Sequence, residues 1–258
     1  LGGRPKKLTS FAAGGLDWHP SGSIFAGSGV SETGALFSYH ANWESAGRWS
    51  VEILTKVHNY GSSAIAVKVD LGNEKDIQNL FDTVDKKLGR ICALVNNAAE
   101  LGKVMCIEDF DSKVLERIFA VNLIGPMLSA KEAVHRMSPK YGGKGGVIIN
   151  ISSTASYIGG AGEYVHYAVS KGGINTLTIG MANELSKDNI RVNSVVPGLT
   201  NTEFLNPLGG KNRIKEKENI IPIGRAGEPA EIAEAVAWLL SDSANYITGA
   251  SLKVSGGL

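Results

Sequence analysis

Cysteine is nearly absent from this chain of 258 residues: only Cys92 and Cys106 occur. Two cysteines cannot build a disulfide framework, so two reduced thiols are the expectation. No excess of either charge is present. The 26 basic and 25 acidic residues leave a net charge of +1, which draws the chain toward neither nucleic acid nor an anionic membrane. Long hydrophobic runs are missing too, and no stretch approaches the roughly 18 apolar residues needed to span a bilayer. The opening Leu1-Gly2-Gly3-Arg4-Pro5-Lys6-Lys7 has no apolar run behind its positive charges, unlike a secretory signal. These absences set the expectation of a cytoplasmic protein with no nucleic-acid and no membrane partner. His19, His40, His58, His135 and His166 are scattered without HExxH spacing, so no metal site is expected. No G-x-S-x-G elbow occurs, which leaves a serine-hydrolase reading little support.

Glycine is abundant. Its 32 residues make up about 12% of the chain against a usual value near 7%, a sign of tight turns and close backbone approaches. Hydrophobic residues at 43% suffice for a full core. From about residue 64 onward, short apolar runs alternate with helical periodicity. Ala64–Val69, Ile91–Val95, Gly146–Ile151, Ile190–Val196 and Ala250–Val254 read as strands. Residues 76–88, roughly 112–137, 164–185 and 229–240 read as helices. Such alternation predicts βαβ units in a parallel sheet with helices on both faces. The expected fold class is a single doubly wound α/β domain over residues 1–258, its first βαβ unit atypical. Asp70, Asn96-Asn97, Ser152-Ser153 and Pro197-Gly198 follow their apolar runs directly, at the carboxyl ends where open α/β sheets bind ligands.

One helix carries Tyr167-Ala168-Val169-Ser170-Lys171. Residues four apart share a helix face, so Tyr167 and Lys171 point the same way. An ammonium beside a phenol favours phenolate and lowers its pKa. A tyrosine tuned in this way can exchange a proton at working pH, as carbonyl reduction by hydride transfer requires. Ser153 lies 14 residues ahead of Tyr167 at a strand end. Asn122 sits among apolar neighbours in Phe119-Ala120-Val121-Asn122-Leu123, where a polar side chain needs a partner.

Together these elements resemble, in order and spacing, the short-chain dehydrogenase/reductase family over about residues 64–258. The resemblance implies a catalytic set of Asn122, Ser153, Tyr167 and Lys171. Tyr167 would be the acid/base, and Lys171 would hold the ribose and lower the tyrosine pKa. Ser153, in preference to Ser152, would bond the substrate oxygen, and Asn122 would hold a relay water. It further implies cofactor contacts from Asp70, Leu71, Asn97, Ala98, Tyr167, Lys171, Pro197, Gly198 and Thr202. Ala99 stands where the family has glycine. Residues 199–226 resemble a lid, with Met105, Ile158, Tyr164, Leu199 and Phe204 as candidate pocket walls. The implied reaction is NAD(P)(H)-dependent hydride transfer on a carbonyl/alcohol substrate of a 3-oxoacyl or sugar/alcohol type. The family also implies a homo-tetramer or homo-dimer, with the last strand and the long helices at the interfaces. Lys211–Glu218 reads as a solvated helix. His166 reads more readily as a solvated helix position than as a pocket wall.

The first 50 or so residues depart from that family. Its strand–glycine loop–helix opening has no match, the nearest pattern being Ser21-Gly22-x-x-x-x-Gly27-Ser28-Gly29. Ser10–Gly29 holds no apolar run long enough for a central strand. A shifted reading frame and a divergent start both explain the break. A silent binding or scaffold protein with impaired cofactor binding is the alternative reading. Ser38-Tyr39-His40 offers no acid to favour NAD, so NADP(H) is the favoured cofactor.

Overall fold

A computed structural model describes the backbone of residues 23–27 and 34–38 and all of residues 64–258, with side chains described from Ala64 onward. Tyr39 and His40 lie outside the described residues. So does the Ser21–Gly29 glycine pattern, apart from the backbone of Ser23–Gly27.

The sheet has six strands: β1 (Ser23–Gly27), β2 (Gly34–Ser38), β3 (Ala93–Asn96), β4 (Gly146–Ile151), β5 (Ile190–Pro197) and β6 (Ser251–Val254). Their spatial order is β2-β1-β3-β4-β5-β6. β3 to β6 run parallel, in the registers Val95↔Ile149, Asn150↔Ser194 and Val195↔Leu252. Alternation along each strand feeds both faces. Leu94, Ile148 and Val192 join one apolar cluster, while Val95, Ile149 and Val195 join the other.

The first cluster is closed by α1 (Glu74–Lys87), α3 (Gly125–Met137) and the end of α5 (Val165–Leu185). Asn73 starts α1 by accepting from the Lys75 and Asp76 amides, the usual role of a short polar side chain at a helix start. Ile77, Leu80, Phe81 and Val84 form its buried face. α7 (Pro229–Leu240) covers the second cluster with Ile232, Val236 and Leu239. Glu228 and Glu231 form a reciprocal capping box at its start. Two shorter helices, α4 (Ala155–Ile158) and α6 (Lys211–Lys217), stand at the carboxyl end of the sheet.

Two expectations need correction. Ala64–Val69 is not a strand, and only Lys68 makes a bridge. The edge of β3 away from β4 is taken by β1, paired antiparallel through Ile24↔Asn96 and Phe25↔Val95. Residues 64–69 therefore find no free edge there. Conversely, Ser23–Gly27 does form a strand. Antiparallel pairing with β2 in a hairpin needs no long apolar run, so the lack of one did not exclude it. The first unit of the sheet is thus a hairpin, with β1 and β2 antiparallel.

The stretch from 112 to 137 is also not one uniform helix. α2 (Ser112–Phe119), capped by Asp111, runs into a π turn at Ala120–Ile124, followed by α3. Pro126 explains the change. Proline has no amide hydrogen to give the carbonyl four residues earlier, and its ring crowds that carbonyl. That carbonyl belongs to Asn122. The Gly125 amide reaches back to the Ala120 carbonyl instead.

Candidate active site

Parallel registers bring the carboxyl ends of β3, β4 and β5 to one edge. A cavity of about 360 Å³ opens there. Its walls include Asn97 after β3, Ser152 and Ser153 after β4, Pro197 and Gly198 at the end of β5, and Tyr167 and Lys171 from α5. Thr202, Leu199, Ile158, Tyr164 and Phe204 line it as well. Met105 is buried outside this cavity wall.

α5 is fixed at the sheet by polar links. The Lys171 ammonium donates to the Ile151 carbonyl at 2.8 Å, and the Ser152 hydroxyl donates to the Lys171 carbonyl at 3.1 Å. The two serines therefore differ. Ser152 is committed to the helix, while the Ser153 hydroxyl lies in the cavity, accepts from the Ala155 amide at 3.1 Å and hydrogen-bonds the Tyr167 phenol. Deeper in the core, Asn96 donates to Asn150, and Asn150 to Thr178, each at 2.9 Å. This buried ladder ties β3, β4 and α5 together.

Burial governs the titration of the central pair. Tyr167 is 7% exposed and Lys171 is 3% exposed. Burial pushes the phenol above its ordinary value, with the Ser153 hydrogen bond pulling it partly back. Burial also pushes the Lys171 ammonium down, to about 7. Removal from water disfavours whichever form is charged. The sequence predicted a lysine-lowered tyrosine. Here Lys171 stands 5.7 Å from the Tyr167 ring centroid and spends its proton on a carbonyl. Near neutrality the pair is thus a neutral phenol beside an amine close to half-protonated.

Asn122 lies outside the cavity wall, one layer behind it. Its carboxamide accepts from the Glu100 amide at 2.8 Å and donates to the Glu100 carbonyl at 2.8 Å. It also donates to the Ser170 hydroxyl at 3.2 Å. This clamp fixes the turn after β3 against α5. Pro126 supplies no N–H to the Asn122 main-chain carbonyl, which is therefore left to other donors. Asp70 is gripped by Arg117, whose Nη1 lies 2.9 Å from both carboxylate oxygens. The same guanidinium binds Glu100, with Nη2 at 2.7 Å. Burial and the Asp70 carboxylate raise Glu100 to about 7. One guanidinium shared between two carboxylates only partly offsets those effects. Leu71 and Ala98 are core residues.

Sequence reasoning missed Glu100, Arg117, Glu163, Arg213 and Lys217. Arg213 and Lys217 are four apart in the segment read as solvated, and that spacing was the available signal. The helix is solvated as read, with no buried residue and Lys217 exposed, but Arg213 and Lys217 also line the cavity. Arg213 is 11% exposed and holds Glu163 in a two-pronged ion pair at 2.5 Å. His166 is corrected too. It is 1% exposed, its Nε2 lies 3.0 Å from the Leu101 carbonyl, and it contacts Phe110 edge-on. Phe110 and Leu101, 56 and 65 residues away in sequence, exclude water from it.

Among the described residues the buried Asn97 amide nitrogen has no partner, and a buried unpartnered donor fits a ligand acceptor such as a dinucleotide oxygen. Among the described residues no group of three or more His, Cys, Asp or Glu stands ready to hold a metal ion, and no helix is long and apolar enough to cross a membrane.

Comparison with known proteins agrees with the geometry. A family model described as Enoyl-(Acyl carrier protein) reductase matches residues 31–258. The uncharacterized oxidoreductase YgfF of Escherichia coli (strain K12) is 39% identical over 206 residues, covering 80% of this chain and 83% of that protein. Glucose 1-dehydrogenase 2 of Bacillus subtilis (strain 168) is 34% identical over 231 residues, covering 89% and 86%. The human 3-oxoacyl-[acyl-carrier-protein] reductase is 35% identical over 198 residues, covering 77% and 79%. A short-chain dehydrogenase/reductase from Serratia marcescens BCRC 10948 superposes with a TM-score of 0.76 at 32% identity, covering 86% of each chain. A metagenomic blue fluorescent protein solved in complex with NADPH gives 0.77 at 27% identity, also covering 86% of each chain. Set beside the strand-edge cavity, the serine, the tyrosine–lysine helix and the asparagine behind them, these likenesses place the chain in the short-chain dehydrogenase/reductase family, as an NAD(P)-dependent oxidoreductase.

Proposed function

We propose that this chain, acting as one Rossmann-type domain over residues 1–258, interconverts a carbonyl compound and its alcohol. The cavity that joins Ser153, Tyr167 and Lys171 to Asn97 carries this reading. A nicotinamide dinucleotide held on this wall would supply or accept the hydride. In reduction the carbonyl carbon gains that hydride, and its oxygen gains a proton from the Tyr167 hydroxyl. Ser153 donates a hydrogen bond to the same oxygen and so polarises the C=O bond. The proton lost by Tyr167 is replaced through Lys171, whose value of about 7 suits transfer near neutrality. A water on the Asn122 carbonyl feeds Lys171 in turn. The carbonyl oxygen ends as the alcohol hydroxyl, carrying the proton from Tyr167.

Asn97 holds the cofactor through its free amide, Pro197, Gly198 and Thr202 flank the carboxamide, and Lys171 holds the ribose. Asp70, Leu71 and Ala98 are the proposed contacts toward the adenine end, although Asp70 is held by Arg117 and none of the three lines the cavity. NADP(H) is the favoured form, because no acid follows Phe37 in Ser38-Tyr39-His40. Fluorescence titration with NADPH and NADH tests the choice, and tighter NADH binding would reverse it. Exposed Met127, Val169, Ile179 and Trp238 support a homo-oligomer joined through α3, α5 and the α7–β6 edge. A monomer in light scattering would refute that part.

The decisive variant is Tyr167→Phe. It keeps the ring contacts with Tyr164 and Phe204 and removes the acid. Turnover should fall by at least about 100-fold while the circular dichroism is unchanged. Near-normal turnover would end this assignment.

A further inference from the structure

The geometry points to a substrate whose apolar body ends in an anion, with Lys217 as the residue that reads that anion. The inference rests on the carbonyl/alcohol reading above and names its substrate class. Around Tyr167 the cavity wall is apolar, with Leu101, Tyr164, Phe204 and Leu208 packed in one cluster with it. On the described wall, side-chain charge is confined to Lys171 beside Tyr167 and to a cluster on and beside α6. The charged side chains on the described wall are Glu163, Lys171, Arg213 and Lys217. Lys171 stands at the reacting end beside Tyr167, where it donates to the Ile151 carbonyl at 2.8 Å. Glu163 is matched to Arg213 by a two-pronged ion pair. Lys217 is then left in excess, one helical turn beyond Arg213 on α6. Its field reaches the same carboxylate, because Lys217 and Arg213 both hold Glu163 below its ordinary value. Glu216 and Glu218 flank Lys217 in sequence but form no part of the cavity wall.

Two ring contacts span the interval from this charge cluster to the reacting phenol. The Arg213 guanidinium carbon lies 5.9 Å from the Tyr164 ring, and the Tyr164 and Tyr167 rings are 6.2 Å apart. A carbonyl seated at Ser153 and Tyr167 therefore extends its chain along aromatic surface before meeting positive charge. An apolar corridor closed by one net cation discriminates between partners by charge more than by contact area.

The test uses an ω-keto acid and its methyl ester, matched in chain length, with wild-type protein, Lys217→Gln and Glu163→Gln. The readout is the acid-to-ester ratio of kcat/KM, with binding of both compounds followed by calorimetry. Wild type should favour the acid. Lys217→Gln should lower the ratio about fivefold, the scale of a solvent-accessible ion pair. Glu163→Gln frees Arg213 and should move the ratio the opposite way, which loosened packing would not do. Added salt should compress all three ratios. Equal ratios in the three proteins, or a wild-type preference for the ester, would overturn the inference. Acid-selective binding lost in Lys217→Gln, with neither compound turned over, would support the charge assignment and sink the hydride-transfer reading instead. Turnover of both compounds without charge selection would do the reverse.

Discussion

Replacing Lys171 with methionine should make the protein more stable at mildly acidic pH and less stable at alkaline pH. In the folded chain burial lowers the ammonium from 10.5 to about 7. The unfolded chain keeps its proton up to the ordinary lysine value. Between those limits the unfolded state binds more protons, so wild-type stability rises with pH. The slope is about 1.4 kcal/mol per pH unit and the full span about 5 kcal/mol. Below pH 7 the folded protein bears the whole cost of a buried ammonium. Methionine has a similar length and no charge, so it removes that cost. It also leaves the Ile151 carbonyl without its 2.8 Å partner, a loss of about 1–3 kcal/mol. At about pH 6.5 the variant should therefore be about 2–4 kcal/mol more stable than wild type, with the order reversed by about pH 10. Urea denaturation followed by circular dichroism, at matched protein concentration, measures the difference. Parallel pH curves for the two proteins would refute the buried ammonium. So would a variant less stable than wild type throughout.

The same linkage acts with opposite sign at Glu100. Its folded value of about 7 exceeds the ordinary 4.5, so the folded state holds the extra proton. That contribution is complete below the lower value and is lost as pH rises through the upper one. Glu100→Gln should flatten the fall in stability between about pH 5 and 7.5 by about 1 kcal/mol, after discounting for solvent screening. A constant gap between variant and wild type across that range would count against it. Gly102→Ala should destabilise by about 2–3 kcal/mol. The backbone there has φ +77°, and a Cβ would meet the Ile118 Cδ1 at 2.9 Å and the His166 Nε2 at 3.1 Å. An unchanged Tm would mean that this turn relaxes freely.

The parallel half of the fold was legible because its signals are local. Gly146–Ile151 matches its predicted limits, and the observed Val165–Leu185, Ile190–Pro197 and Pro229–Leu240 agree within a residue. Apolar runs of strand length and helical repeats need no knowledge of distant partners. Ala64–Val69 failed for the complementary reason. Its composition suits a strand, but a strand also needs an edge, and the edge of β3 belongs to Ile24 and Phe25. Nothing within residues 64–69 encodes that competition. His166 failed in the same way, since a helix position reads as solvated until Leu101 and Phe110 are known to cover it.

At the site, the sequence named groups more readily than it named their states. The tyrosine–lysine spacing placed both side chains on one face, but the reasoning set a charged lysine beside the phenol. The fold removes water from both at once, which raises the tyrosine that was expected to be lowered and lowers the lysine as well. Burial is a sum over the whole chain and has no signature in five residues. The role of Asn122 was open to a closer reading. A proline four residues after an asparagine in a helix denies that asparagine's carbonyl its usual donor. Asn122 and Pro126 stand at this spacing, and the helix answers with a π turn. The side chain is then occupied by Glu100 and Ser170, so any proton relay runs past the main-chain carbonyl. On this argument Asn122→Asp acts by loosening the Glu100 clamp, and Pro126→Ala acts by restoring the missing donor. Pro126→Ala should slow turnover while raising the Tm. Unchanged turnover in Pro126→Ala would show that the freed carbonyl has no part in the chemistry.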